Sequence, residues 1–131
     1  MKVEWAAVCR SFWENDTGVA ISGVGCTMSQ PVPLPAIVEI PVAVSLLDLN
    51  ESHVVDNLYT YVSGPNGVTS ERGKHSFLAE DMDIPPGMRS RKVVEVTCRF
   101  LASVGGIYRL GFAAEEQKAP VVVDFYVDGS G

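Results

Sequence analysis

The stretch VVEVTCRF at residues 93–100 decides the fold class of this chain. Its apolar side chains alternate with a mostly polar set: Val94, Val96, Cys98 and Phe100 against Val93, Glu95, Thr97 and Arg99. A period of two is typical of a β-strand that buries one face and exposes the other. The sequence therefore predicts a half-buried strand at this position.

Further runs of this kind occur on both sides of that stretch. Residues 107–114 and 121–127 keep the same period of two. Upstream, the sequence also predicts strands over residues 2–12, 19–28, 36–47, 58–63 and, in a shorter form, 74–79. Residues 113–118 could form one helical turn, but no run of a dozen residues keeps the period of a helix.

Turn-forming residues separate the predicted strands, for example NDTG at 15–18, GPNG at 64–67 and PPG at 85–87. Short connections between strands favour antiparallel neighbours. The pattern predicts one all-β domain over residues 1–131, an antiparallel β-sandwich of about eight strands. It is immunoglobulin-like only in the broad sense, because Trp5 and Trp13 both precede Cys26 instead of lying between two core cysteines.

The inward-facing aromatic and aliphatic side chains of the last three strands form the predicted core. We expect these residues to be buried between two sheets: Phe100, Tyr108, Leu110, Phe112 and Phe125.

Composition excludes several classes of function. The 131 residues carry a net charge of -6, which argues against a nucleic-acid partner, since phosphate contacts need a basic face. The most apolar stretch, residues 31–47, contains several prolines and predicts no membrane span. The first residues, MKVEW, lack the apolar core of a signal peptide, so we expect a location in the cytoplasm or within an assembled particle.

Cysteine and histidine usage gives no sign of a catalytic site, a cofactor or a zinc ion. Cys9, Cys26 and Cys98 lack the spacing of a zinc motif and are expected to be reduced. A bridge between Cys9 and Cys26 is the alternative. His53 and His75 lie outside any frame typical of nucleophilic catalysis and are interpreted as solvated loop residues.

Two charged clusters flank the PPG turn. The acidic cluster, formed by Glu80, Asp81 and Asp83, could bind Ca²⁺, but without EF-hand spacing a solvated turn is the favoured interpretation and no metal site is predicted. The basic cluster, formed by Arg89, Arg91 and Lys92, and the acidic cluster either neutralise each other across the turn, or the basic cluster contacts an anion or a partner protein.

Two sets of strand residues are candidates for binding. The first lies on one side of the final strand and is a candidate protein interface: Val122, Asp124, Tyr126 and Asp128. That strand is predicted either to be an edge that meets another subunit or to lie within a sheet. The second set, Tyr59 and Tyr61, shares one strand face and could stack on a sugar ring or another small ligand.

The order of features in the last third resembles that of an uncharacterised bacterial family of small β-sandwich proteins. The resemblance rests on MKVE at 1–4, PPG at 85–87, the strand at 93–100, GIYRL at 106–110 and the strand at 121–127. In that family a PPG-like turn precedes an alternating strand, and a Gly-x-Tyr strand and a final strand follow. The resemblance implies a β-sandwich and carries over no catalytic residue.

These observations predict a non-enzymatic module that binds protein. We expect it to assemble with copies of itself or to be a component of a larger particle, such as a phage-like one. A β-sandwich that binds carbohydrate or another small ligand is the alternative.

Overall fold

The computed structural model of the chain describes residues 1–15, 18–25, 27–48, 55–67, 69–78 and 85–131. These residues form nine β-strands and no helix, so none of them belongs to a helix long and apolar enough to cross a bilayer. The strands are β1 (Lys2–Val8), β2 (Ser11–Asn15), β3 (Gly18–Ser22), β4 (Ala36–Leu47), β5 (Val55–Ser63), β6 (Thr69–Leu78), β7 (Arg91–Ala102), β8 (Gly106–Ala114) and β9 (Val121–Val127).

The strands form three antiparallel sheets. The three-stranded sheet has the order β1-β4-β7, and the four-stranded sheet has the order β6-β5-β8-β9. Strands β2 and β3 pair only with each other, as a hairpin. The all-β prediction is confirmed, with nine strands among the described residues where the sequence predicts about eight.

One hydrophobic core joins the two larger sheets, because strands of both contribute buried side chains to the same cluster. Along β7 the buried positions are the even-numbered ones from Val94 to Ala102, as the alternation predicts. The predicted core residues Phe100, Tyr108, Leu110, Phe112 and Phe125 are all buried in this cluster.

Tyr108 is buried at the start of β8, close to the turn that follows β7. Its hydroxyl donates a hydrogen bond to the carbonyl oxygen of Val104, at 2.7 Å. Its ring stacks on Phe100 with 4.8 Å between the ring centroids. The hydrogen bond satisfies the polar end of the buried side chain, while the ring fills the core.

The first predicted strand, residues 2–12, is two strands in the structure. Hydrogen bonding changes partner at its middle: the Cys9 N–H donates to the carbonyl of Pro41, and the Arg10 N–H donates to the carbonyl of Ser22. Arg10 and Ser11 interrupt the apolar residues here, but no glycine or proline marks a turn, so the sequence pattern did not separate the two strands.

Other predicted strands differ in length from the structure, and those at 58–63 and 93–100 are longer, as Val55–Ser63 and Arg91–Ala102. The run at 19–28 ends at Ser22, because Gly23 and Gly25 have positive φ angles of 66° and 86° that leave the extended region. The short strand predicted at 74–79 extends back to Thr69, through a polar stretch that pairs with β5. Residues 114–117 close a single turn in place of the helical turn considered for 113–118.

Truncation of Phe112 tests the core. Phe112→Ala should lower the free energy of unfolding by about 3–5 kcal/mol, because the side chain is fully buried and leaves a cavity. Urea unfolding followed by circular dichroism measures the loss. Met88→Ala, at an exposed apolar position, is the control and should change stability by less than about 0.5 kcal/mol. Equal effects of the two changes would contradict this description of the core.

Candidate interaction face

The two candidate binding sets lie on the same side of the four-stranded sheet. Because β5 pairs with β8 and β8 with β9, Tyr61, Gly111 and Val122 form one row across it. We call this outer surface the tyrosine face. It consists of Tyr59, Tyr61, Ile107, Arg109, Gly111, Val122, Asp124 and Tyr126. The sequence offered its two halves as alternatives, and the structure joins them.

Exposed apolar side chains are concentrated at the β9 end of the tyrosine face. Tyr126 lies directly opposite Ile107 and forms a parallel bridge with Met28. These three residues are 43%, 47% and 59% exposed, and Val122 is 45% exposed. The sequence did not single out Ile107 or Met28, although Ile107 immediately precedes the buried Tyr108 and so had to face outward.

A charged pair divides this apolar surface. Arg109 and Asp124 lie opposite each other on β8 and β9, with 3.4 Å between Nε and Oδ1. Both side chains are well exposed. A surface pair of this kind contributes little to stability and leaves both groups available to a partner.

Tyr61 and Gly111 form the centre of the face. A Cβ atom on Gly111 would lie 2.1 Å from the Tyr61 ring, so the ring covers the bare backbone of the neighbouring strand. A side chain at this position would displace the tyrosine ring from its place over the backbone.

A shallow depression lies at the β6 end of the face. Its volume is about 390 Å³, and it is lined by Tyr59, Thr60, Tyr61, Arg72 and Gly73. Arg72 lies opposite Tyr61 in the sheet. Its guanidinium makes no ion pair with any residue that the structure describes.

The backbone at the outer edge of β9 is hydrogen-bonded over part of its length to a preceding segment of the chain. The Tyr126 N–H donates to the carbonyl of Thr27 at 2.8 Å, and the Ser29 N–H donates to the carbonyl of Tyr126 at 2.9 Å. The Val32 N–H donates to the carbonyl of Asp128 at 3.0 Å. The C-terminal half of the strand is therefore covered by residues 27–32.

Asp128 is used within the chain. Its backbone N–H donates to the Ser29 hydroxyl, and its carboxylate accepts the Ser130 N–H at 3.0 Å. Hydrogen bonds from the side chain and backbone of Ser130 hold the pKa of Asp128 below its ordinary value. Of the four predicted interface residues, Val122, Asp124 and Tyr126 are exposed, whereas Asp128 is half-buried.

Two arginines of the basic cluster bind acidic residues elsewhere in the chain. Arg91 makes two hydrogen bonds to Glu4, at 2.8 and 2.9 Å, and Ser45 donates a third at 3.2 Å. Arg89 binds Asp48, with Nε donating to Oδ1 at 2.8 Å. Hydrogen bonds from Arg91 and Arg89 are the main reason that the pKa values of Glu4 and Asp48 are lowered. These two acids lie outside the acidic cluster, so the mutual neutralisation of the two clusters across the PPG turn stays a prediction.

Thiols and imidazoles do not converge on a reactive centre among the described residues. Cys9 and Cys98 are buried, free thiols. Burial raises the pKa of the Cys98 thiol to about 12, which makes it a poor nucleophile. His75 lies half-buried in β6, opposite Leu58, and is not the solvated loop residue that we expected.

Several predicted candidates fall outside the described residues. They are Cys26, His53 and the acidic cluster of Glu80, Asp81 and Asp83. Within the described part of the chain, no three His, Cys, Asp or Glu side chains are grouped to hold a metal ion.

Comparison with known proteins found no matching family model, no matching curated protein and no matching solved structure. The resemblance to a family of small β-sandwich proteins therefore stays a prediction.

Acid titration tests the two arginine–carboxylate pairs. Glu4 and Asp48 have lowered pKa values in the folded chain, so their stabilisation is present above their unfolded pKa values and is lost as the pH falls. An Arg89→Ala, Arg91→Ala double variant should lose less stability than the wild type between about pH 5 and pH 3. Urea unfolding at a series of pH values measures both slopes.

The control for this titration is Arg72→Ala, which removes an exposed arginine that has no described ion-pair partner. Its slope should match that of the wild type. A double variant with the wild-type slope would show that the two pairs do not couple folding to pH.

Proposed function

We propose that this chain is a non-catalytic β-sandwich that binds another protein subunit through the tyrosine face. The subunit is a copy of the chain or a neighbour in a larger assembly, such as a phage-like particle. The cytoplasm or the interior of that assembly is the proposed location. The observation that carries the proposal is the placement of four exposed apolar side chains, Met28, Ile107, Val122 and Tyr126, on one face of the sheet.

The sandwich itself is part of the proposal. The two larger sheets share one core, and their strand orders match the two sheets of immunoglobulin-like domains if β1, β4 and β7 are strands A, B and E. Strands β5, β6, β8 and β9 then become C, C′, F and G. The Tyr108 hydroxyl bonded to the backbone after β7 corresponds to the tyrosine corner of such domains.

The composition of the tyrosine face supports a protein partner. Aromatic residues and arginine are enriched at protein interfaces, where large rings contribute contact area and hydroxyl groups contribute hydrogen bonds. Tyr59, Tyr61 and Tyr126 supply the rings, and Arg109 with Asp124 supplies charge between them. Strands hold all of these side chains, so the surface is preformed and loses little freedom on binding.

Two lysines on the face should prevent this association. We expect Val122→Lys with Tyr126→Lys to lower the mass of the assembly in solution, because both positions are exposed at its apolar end. Light scattering at matched concentrations measures the mass, and circular dichroism checks the fold. The matched control is Val24→Lys with Met88→Lys, two exposed apolar residues outside the face. If mass and partner binding are the same in all three proteins, the proposed interface is wrong.

A second function, binding of a carbohydrate or another small ligand, is favoured by the depression beside Tyr59 and Tyr61. Aromatic faces stack on the apolar side of sugar rings, and Arg72 could donate hydrogen bonds to ring hydroxyls. The depression is open and shallow, and it lies at the opposite end of the face from Tyr126.

Isothermal titration with linear glucose hexasaccharides tests this alternative. If the depression binds sugar, Tyr61→Ala should weaken binding by at least about tenfold, equivalent to about 1.4 kcal/mol. Tyr126→Ala is the control and should bind the sugar as the wild type does, since β8 lies between its strand and β5. Absence of heat from the wild type with this probe would count against a neutral-sugar site.

A further inference from the structure

The outer edge of β7 is a second candidate surface, because no strand of the described residues pairs with it. β7 is the last strand of the three-stranded sheet and, at twelve residues, equals β4 as the longest strand. Among the described residues, β4 is the only strand that pairs with it. An open edge of this length offers a row of N–H and C=O groups to another strand.

A proline shows which backbone groups of β7 point to that edge. Pro41 of β4 lies opposite Thr97, and its carbonyl accepts the Cys9 N–H on the β1 side at 3.0 Å. In an antiparallel strand the N–H and C=O of one residue point to the same side. The Thr97–Pro41 pair is therefore not hydrogen-bonded, and the N–H and C=O of Thr97 point away from β4.

Every second residue of β7 has the same backbone orientation as Thr97. The backbone N–H and C=O groups of Val93, Glu95, Arg99 and Leu101 therefore also point to the open edge. The side chains of these residues lie on the outer face of the sheet, where Glu95, Thr97, Arg99 and Leu101 are exposed. Backbone donors and acceptors and an exposed row of side chains therefore coincide at one edge.

We propose that β7 pairs with β7 of a second copy of this chain, antiparallel and about a two-fold axis at Thr97. The two three-stranded sheets then form one continuous sheet. Glu95 lies opposite Arg99 of the second copy, and Arg99 lies opposite Glu95 of the second copy. Val93 faces Leu101 of the second copy, so the outer row is complementary to itself in charge and in apolar contact.

Charge selects this register over its neighbours. An axis at Glu95 would place Glu95 opposite itself, and an axis at Arg99 would place Arg99 opposite itself. An axis at Val96 would place Glu95 opposite Thr97 of the second copy, and an axis at Cys98 would place it opposite Leu101. Neither residue offers Glu95 an opposite charge. Like charges directly opposite are destabilising and opposite charges stabilise, so the axis at Thr97 is favoured.

An ion pair within the chain prepares Arg99 for this contact. Its Nε lies 3.1 Å from Oε1 of Glu39, its neighbour on β4. In the paired sheet Arg99 lies between Glu39 and Glu95 of the second copy. Because one side of the guanidinium is already held, less side-chain entropy is lost when the second carboxylate binds.

The pairing also closes the exposed edge. A two-fold contact uses the same surface on both copies and leaves none of it free for further addition. This inference does not rest on the tyrosine face, which belongs to the other sheet.

Charge reversal provides the test. Glu95→Arg puts two arginines opposite each other at both symmetric positions, and Arg99→Glu puts two glutamates there. Each single variant should raise the dimer dissociation constant at least about tenfold over the wild type in sedimentation equilibrium. Circular dichroism and urea unfolding check that the variants fold, as expected for exposed positions.

Mixing the two variants provides the decisive measurement. In the mixed pair, both contacts between positions 95 and 99 join opposite charges, so an equimolar mixture should form a heterodimer with a dissociation constant within about threefold of the wild-type value. Glu116→Arg, a matched charge reversal at an exposed turn residue, should leave the dimer unchanged.

Three results would overturn the proposal: a monomeric wild type, single variants that dimerise as the wild type does, or a mixture that stays monomeric. The lysine variant at Val122 and Tyr126 separates this surface from the tyrosine face. Loss of assembly in that variant alone would support the tyrosine face and contradict the β7 pair. Loss of assembly in the charge-reversal variants alone would support the β7 pair and contradict the tyrosine face.

Discussion

The structure depends on one hydrophobic core, to which strands of both larger sheets contribute buried side chains. Side chains alternate across a sheet, so a strand that commits its even-numbered residues to the core must send its odd-numbered ones outward. β7 and β8 obey this rule over nearly their whole length, with Phe100 and Tyr108 in contact at the centre. Once these inner faces are fixed, chemistry can be placed only on outer faces, edges and turns.

The two surfaces described above follow from this division. The tyrosine face is the outer side of the four-stranded sheet, and the β7 edge belongs to the three-stranded one. The two surfaces lie on opposite sheets, so one copy could use both at once. A dimer formed at one edge would then carry two tyrosine faces, which suits a building block of a larger assembly.

The alternation of apolar side chains and the position of turn-forming residues predicted most of the strands. The strand at Ala36–Leu47 and the one at Val121–Val127 have the predicted bounds, because apolar alternation and bordering turns agree there. The break after Val8 escaped prediction, because no glycine or proline marks it and the change of hydrogen-bond partner involves residues distant in sequence. The hydrogen bonding of residues 27–32 to β9 was not predicted either, because contacts between segments distant in sequence leave no local pattern.

The candidate site was predictable only in part. Alternation placed Val122, Asp124 and Tyr126 on one side of a strand, and Tyr59 with Tyr61 on one side of another. The order of strands in the sheet, which brings both sets onto one face, depends on packing of distant segments. Gly111 is an example: the space beside its backbone is filled by the ring of Tyr61, 50 positions earlier, and no local pattern predicts that contact.

The β2–β3 hairpin has a consequence for how such a chain could diversify. It is inserted between β1, which pairs with β4, and residues 27–32, which join β9, and none of its described residues belongs to the core cluster. Its base is closed by backbone bonds from Arg10 to Ser22 and from Gly25 to Val8. Such a module could be lengthened, shortened or exchanged for a foreign segment while the rest of the fold is inherited unchanged, which makes it a natural point for grafting new recognition loops.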